Sequence, residues 1–298
     1  MNAPVIAGYR SLLRVLLLLG ALVGAEAAAQ TGGLGLEPGR LEVEVAPGSE
    51  KTVAFHIVTP SSDRVVRGRL LLSLTDWTIK EDGSAVYTDP GTQPNSASAW
   101  VVHSPAAITT SSGERYLIRV TITVPAETPP GDYRTAIFMQ ERPPATPPKP
   151  GERMIYLRFR YVFTLYVMVP PVSARGELAD IRIQNDSNGS SLVFELVNHG
   201  NRHLRPYVSW SIRNADQQEV SAVKQHETTV LLAGAVLKEP IRIESLPPGR
   251  YEIAAQADFQ DGEPIQAVRR TVEVAPAPPP KEPPAATAPP AMGQKRAG

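Results

Sequence analysis

The chain has 298 residues, with 30 Lys and Arg balanced by 30 Asp and Glu, five His and no Cys. That balance leaves no electrostatic footprint for nucleic acid or anionic lipid. The missing cysteine excludes disulfide staples, thiolate nucleophiles and lipid attachment through a thiol, so each folded unit must stand on its apolar core alone.

In chain order, Arg10 and Arg14 precede an apolar run from Val15 to Ala25, which closes on Ala27-Ala28-Ala29. This is the pattern of a secretory signal, residues 1–29, with an Ala-x-Ala site cut before Gln30. The apolar run of 11 residues falls short of the roughly 20 needed to span a bilayer. The 269 residues that remain suffice for two domains of about 100 to 140 residues each.

From there the chain alternates apolar and polar residues in short runs rich in Val, Ile, Tyr and Thr. Examples are Leu41 to Val45, Lys51 to Val58, Tyr116 to Val124, Tyr133 to Gln140, Leu192 to Val197, Tyr207 to Arg213, Tyr251 to Phe259 and Ala267 to Val274. A period of two predicts antiparallel strands, and turn residues at Glu81-Asp82-Gly83, Asn185 to Gly189 and Asp261-Gly262 sit where hairpins need them. The predicted fold class is all-β, as two tandem immunoglobulin-like sandwiches.

An internal repeat supports the count of two. Pro129-Pro130-Gly131-Asp132-Tyr133 and Pro247-Pro248-Gly249-Arg250-Tyr251 recur 118 residues apart, each leading into a strand. A turn that delivers a Tyr into a late strand has the form of a tyrosine corner, whose hydroxyl ties the turn to upstream backbone. Prolines at Val169-Pro170-Pro171-Val172 place the boundary, giving domains at 30–171 and 172–275. Residues 276–298 hold eight prolines in 23 positions and too few large apolar side chains to fold, which predicts a disordered Pro-rich tail.

The sequence offers little catalytic chemistry. His199 and His203 lie in a Gly- and Asn-containing loop rather than on one helical face, Asp186-Ser187-Asn188-Gly189 lacks a distant bidentate Glu, and no nucleophile elbow, phosphate loop or HExxH run occurs. Glu42, Glu44 and Asp76 are expected on solvent faces of strands, and Trp77, Trp100 and Trp210 in cores or at a domain interface. The expectation is a binding protein without enzymatic activity, cofactor or metal.

The stretch Met154 to Val169 reads as one strand of about 16 residues, against a usual 5 or 6. One alternating set, Ile155, Leu157, Phe159, Tyr161, Phe163, Leu165, Val167 and Val169, is wholly apolar or aromatic. A Pro-rich connection, Glu141 to Arg153, leads into it. Such a strand is either the last core strand of the first domain or an open edge for strand addition by another chain.

Taken in order, these features resemble the periplasmic pilus-assembly (fimbrial) chaperones. The resembling parts are Leu41 to Ile57 with Pro47-Gly48-Ser49-Glu50-Lys51, then Val102-His103-Ser104-Pro105, Tyr133 to Pro144, and the strand ending at Pro170-Pro171. The resemblance implies a client-binding strand carried by Leu157, Phe159 and Tyr161, with Phe163 next in register, lent to a subunit that lacks a strand. It implies pilus or surface subunits and an outer-membrane usher as partners, and a periplasmic location, with no nucleic acid or small-molecule substrate. The family anchors its client's terminal carboxylate through an Arg and a Lys. The matching positions here fall near Val43 and near Leu165 or Tyr166, none of them basic, which leaves Arg40, Arg158 and Arg160 as nearby carboxylate or rim contacts. An envelope or surface protein using the sandwiches as structural or adhesive modules is the other reading open at this point.

Overall fold

A computed structural model of the chain describes residues 33–61, 68–141, 159–186 and 189–274. The signal, most of the Pro-rich connection with the start of the long strand, and the Pro-rich tail lie outside the described residues.

The first sandwich is made of strands β1 (Gly35–Glu37), β2 (Arg40–Glu44), β3 (Glu50–Val58), β4 (Arg69–Ile79), β5 (Ala85–Thr88), β6 (Val101–Ser104), β7 (Ala107–Thr109), β8 (Arg115–Thr123), β9 (Gly131–Glu141) and β10 (Arg160–Val169). One sheet runs β1-β3-β8-β6. The other runs β2-β10-β9-β4-β5, with β7 paired to the start of β4. Alternation decides what faces inward: β3 sends Phe55 and Ile57, and β8 sends Ile118, Val120 and Ile122, against Ile137, Phe163, Leu165 and Val167 of the opposite sheet.

The second sandwich comprises β11 (Gly176–Asp186), β12 (Gly189–Asn198), β13 (Tyr207–Arg213), β14 (Glu219–Glu227), β15 (Val236–Ile243), β16 (Gly249–Asp258) and β17 (Gln266–Val274). Its sheets are β11-β12-β15 and β14-β13-β16-β17. Val208, Trp210 and Ile212 alternate inward from β13 onto Leu192, Phe194 and Leu196 of β12. The two sheets meet at a seam of side chains: Gln266 accepts the Leu178 N–H (2.8 Å) and donates to the Gly176 carbonyl (2.7 Å), while Asp261 accepts the Gly176 N–H (2.9 Å). Gly176 is required there, since a Cβ would sit 2.1 Å from the Phe259 ring.

Both corners form as the repeat predicts. The Tyr133 hydroxyl donates to the Pro129 carbonyl at 3.0 Å, and the Tyr251 hydroxyl to the Pro247 carbonyl at 2.8 Å. Asp76 departs from expectation. Asp76 does not face solvent: it is fully buried, accepting from Ser96 Oγ (2.7 Å), Ser98 Oγ (2.6 Å) and the Gln93 N–H (3.0 Å). The loop returning from β5 to β6 covers the face that alternation assigned to water. Burial pushes the Asp76 carboxyl up, but these donors outweigh it and hold the group below the usual carboxylate range.

Removing a corner hydroxyl deletes one hydrogen bond without a cavity. Tyr251→Phe, at a largely buried tyrosine, should destabilise the second sandwich by about 0.5 to 1.5 kcal/mol, and Tyr133→Phe, at an exposed corner, by less. Urea unfolding of the two variants checks the order.

Candidate functional site

β10 has a different environment at each end. Its second half is a central strand, with Thr164 to Met168 pairing in parallel with Arg40 to Glu44 of β2 while the whole strand pairs antiparallel with β9. Its first half, Arg160 to Phe163, pairs with Gln140 to Ile137 of β9 and, among the described residues, with nothing on the β2 side. One backbone edge is therefore open beside the point where the chain enters the strand.

Side-chain exposure grades along the same axis. On the inward face Val169, Val167, Leu165 and Phe163 are fully buried. Tyr161 is half-buried against the edge of the core. Phe159 is 57% exposed, its ring 6.5 Å from that of Tyr161. Among the described residues, the apolar face thus becomes progressively exposed from Phe163 through Tyr161 to Phe159.

This gradient corrects one expected donor. Phe163 is not available to a partner, because its ring stacks on Phe55 at 3.7 Å and 8° inside the first core. Leu157 lies outside the described residues.

The nearby cations are not gathered into an anchor. Arg160 lies 4.5 Å over the Phe138 ring and donates to Gln140 Oε1 at 3.2 Å. Arg40, at the far end of the open edge, donates to Glu42 at 3.3 Å. Arg158 is outside the described residues. Where the resemblance would place the anchoring cations, Val43 is buried in the core opposite Val167, Leu165 is fully buried, and Tyr166 is buried with its ring edge-on to Trp77 at 5.5 Å.

The other face of β10 serves the junction between the sandwiches. Tyr166 and Val162 there join Trp77 of β4 and Ala136 of β9 in a cluster with Val230 and Leu232 from the second sandwich. The β4–β5 turn adds a second contact, where Lys238 of β15 donates its backbone N–H to the Glu81 carbonyl and pairs with the Glu81 carboxylate at 3.2 Å. Trp77 is thus an interface residue, whereas Trp210 packs in the second core and Trp100 lies 4.5 Å from Tyr133.

Beside the apolar cluster stands a polar one that sequence reasoning missed. His203, in the loop between β12 and β13, lies between Asp132 of β9 and Glu42 of β2, with Arg205 donating to both Glu42 (3.3 Å) and the Tyr166 hydroxyl (3.1 Å). Glu42 was expected in solvent, yet it is the hub of this junction. The hydrogen bond from His203, aided by Arg205, overcomes its burial and holds its carboxyl down to about 2. Burial pushes the Tyr166 hydroxyl up to about 12, which keeps it a neutral acceptor for Arg205.

No family model matches the chain, and no curated protein does. Among solved structures, it is similar to the CsuC–CsuE chaperone–tip adhesion subunit complex of Acinetobacter baumannii, at 12% identity and TM-score 0.44, covering 80% of this chain and 97% of that one. It is similar also to the class 5 fimbriae chaperone CfaA, at 10% identity and TM-score 0.41, covering 82% and 100%. The E. coli chaperone DraB matches at 15% identity and TM-score 0.37, covering 82% and 98%.

The placement of Phe163 has a measurable consequence. Phe163→Ala should cost about 3 to 5 kcal/mol, as for a buried aromatic whose cavity cannot fully collapse. Denaturant unfolding of the first sandwich reads this directly; a near-neutral result would return Phe163 to the exposed donor set.

Proposed function

We propose that this chain is a non-enzymatic, chaperone-like protein of the periplasm, exported by the leader read in residues 1–29, with domains at 30–171 and 172–275. It binds pilus or surface-structure subunits through the open end of β10 and so keeps them from aggregating. The observation that carries this reading is the coincidence of an unpaired backbone edge with an apolar face that becomes exposed at Phe159.

The chemistry is that of strand addition. A subunit lacking one strand has an open backbone edge and a slot in its core. The N–H and C=O groups of residues 159–163 can pair with that edge, and Phe159 and Tyr161, with Leu157 continuing the alternation, can enter the slot. Each large apolar side chain so buried contributes roughly 1.5 to 3 kcal/mol. Phe163 has no part in this, since it completes the chaperone's own core. It acts instead as the root of the donor segment, fixing the register of Tyr161 and Phe159 relative to the sandwich.

The client's terminal carboxylate would meet the arginines at the rim of this edge. Arg40 and Arg160 flank the open edge at opposite ends, each with a local partner that a client carboxylate would have to displace. Arg158, which directly precedes Phe159 in the sequence, is the third such contact. An outer-membrane usher would be the acceptor to which such a complex delivers its subunit.

Phe159→Asp tests the proposal, because the residue is exposed and its loss leaves the core intact. The variant should be exported and melt like the wild type, while subunits that co-purify from periplasmic extract with the wild type are lost. Unchanged recovery of those subunits would overturn strand donation at this edge.

A further inference from the structure

The charged cluster at the junction has a geometry that depends on one proton. His203 is 3% exposed. Its Nδ1 lies 2.7 Å from Asp132 Oδ2 and its Nε2 lies 3.3 Å from Glu42 Oε1. A neutral imidazole has one N–H and one lone pair, so in that state one of these contacts would set a lone pair against a carboxylate oxygen. Only the imidazolium donates to both. Both carboxylates belong to the first sandwich and His203 to the second, so the proton ties one domain to the other.

We propose that the His203 imidazolium is a proton-operated lock on the angle between the two sandwiches, closed while the ring is charged and released when it is neutral. Asp132 makes the lock sensitive. Its Oδ2 accepts both the ring and the backbone N–H of His203 (3.0 Å), and its Oδ1 is buried without a hydrogen bond among the described residues. When the ring loses its proton it keeps a single N–H. Donated to Asp132, it sets the Nε2 lone pair against Glu42 Oε1, and donated to Glu42, it leaves the buried Asp132 only a backbone donor, so either tautomer gives up one of the two contacts between the domains.

Other charged and titratable groups surround the ring. From β2 come Glu42 and Arg40, which lines the same cleft; from β9 come Asp132 and Arg134, whose charge is felt by Asp132. From β10, the Tyr166 ring stacks on His203 at 4.0 Å and 27°. From its own loop, Arg202 and Arg205 approach Glu42 at 4.0 and 3.3 Å. The arginines screen Glu42 when His203 discharges, but they come from the same loop as His203 or from Glu42's own strand and do not replace the ring's second N–H between the two carboxylates. The apolar cluster around Trp77 and Tyr166 remains in place, so release changes the angle of the domains and not their connection.

The direction with pH follows. Burial pulls the His203 pKa down, but the bonds to Asp132 and Glu42 outweigh it and raise the value above the ordinary histidine range. The lock's contribution is therefore complete below about pH 6.5, the unfolded value, and is lost as pH rises through the higher folded value.

The test is X-ray scattering and thermal unfolding of the full chain between about pH 5.5 and 9.5, bracketing the range where a raised histidine titrates. The wild type should show a larger radius of gyration and a lower Tm at the alkaline end, both changing in one step. His203→Gln should show the alkaline values throughout, with no step. In parallel, NMR titration of the histidine ring protons of the wild type, which needs no variant, should place one histidine's midpoint on the scattering step. A wild type without the step, a step that survives in His203→Gln, or a step that coincides with no histidine titration would each overturn the proposal.

Discussion

Strand β10 is the member on which the rest of the molecule depends, because it is buried on both faces and paired on both edges along only part of its length. Its inward residues Phe163, Leu165, Val167 and Val169 complete the first core. Its outward Tyr166 forms the floor of the domain junction. Where β2 stops pairing, the same strand becomes an edge. One ten-residue element therefore contributes to the stability of the first sandwich and the position of the second, and begins in an open edge. A change at Leu165 would be felt in the first core and a change at Tyr166 at the junction.

The junction divides its work between two kinds of contact. Trp77, Tyr166, Val230 and Leu232 supply non-directional burial, which holds the sandwiches together but tolerates small rotations. Glu42, Asp132, His203 and Arg205 supply directional contacts. Desolvation offsets much of what such a buried cluster gains, yet removing one partner costs about 3 to 5 kcal/mol. The charged groups thus contribute less to cohesion than to selecting one orientation. Arg134 links the two sets, donating to the Trp77 carbonyl at 3.1 Å while lying 5.5 Å from the Trp77 ring.

Much of this architecture was legible in the sequence, for identifiable reasons. Tyr207 to Arg213 reads as a strand with its observed limits because half-buried strands write a period of two. Both Pro-Pro-Gly-x-Tyr corners were legible because backbone geometry there demands particular residues. What escaped was what periodicity does not encode. Strands β1, β6 and β7 have three or four residues, too few for a pattern. β15 contains Pro240, which argues against a strand until one sees that β15 lies at a sheet edge. The cluster of Glu42, Asp132 and His203 joins three distant points of the chain, and no spacing relates them. Phe163 misled because alternation gives the face of a residue and not the depth at which the opposing sheet ends.

The seam of the second sandwich shows how one sheet edge is closed without a further strand. The amide of Gln266 occupies both the N–H of Leu178 and the carbonyl of Gly176, standing in for the peptide group of a neighbouring strand. Backbone groups satisfied in this way are no template for a foreign strand. The two strands thus differ where they begin: among the described residues the start of β10 has an unpaired backbone edge, and the start of β11 has a sealed one. Under the proposed strand donation, a partner would be steered by what has been sealed as much as by what has been left open.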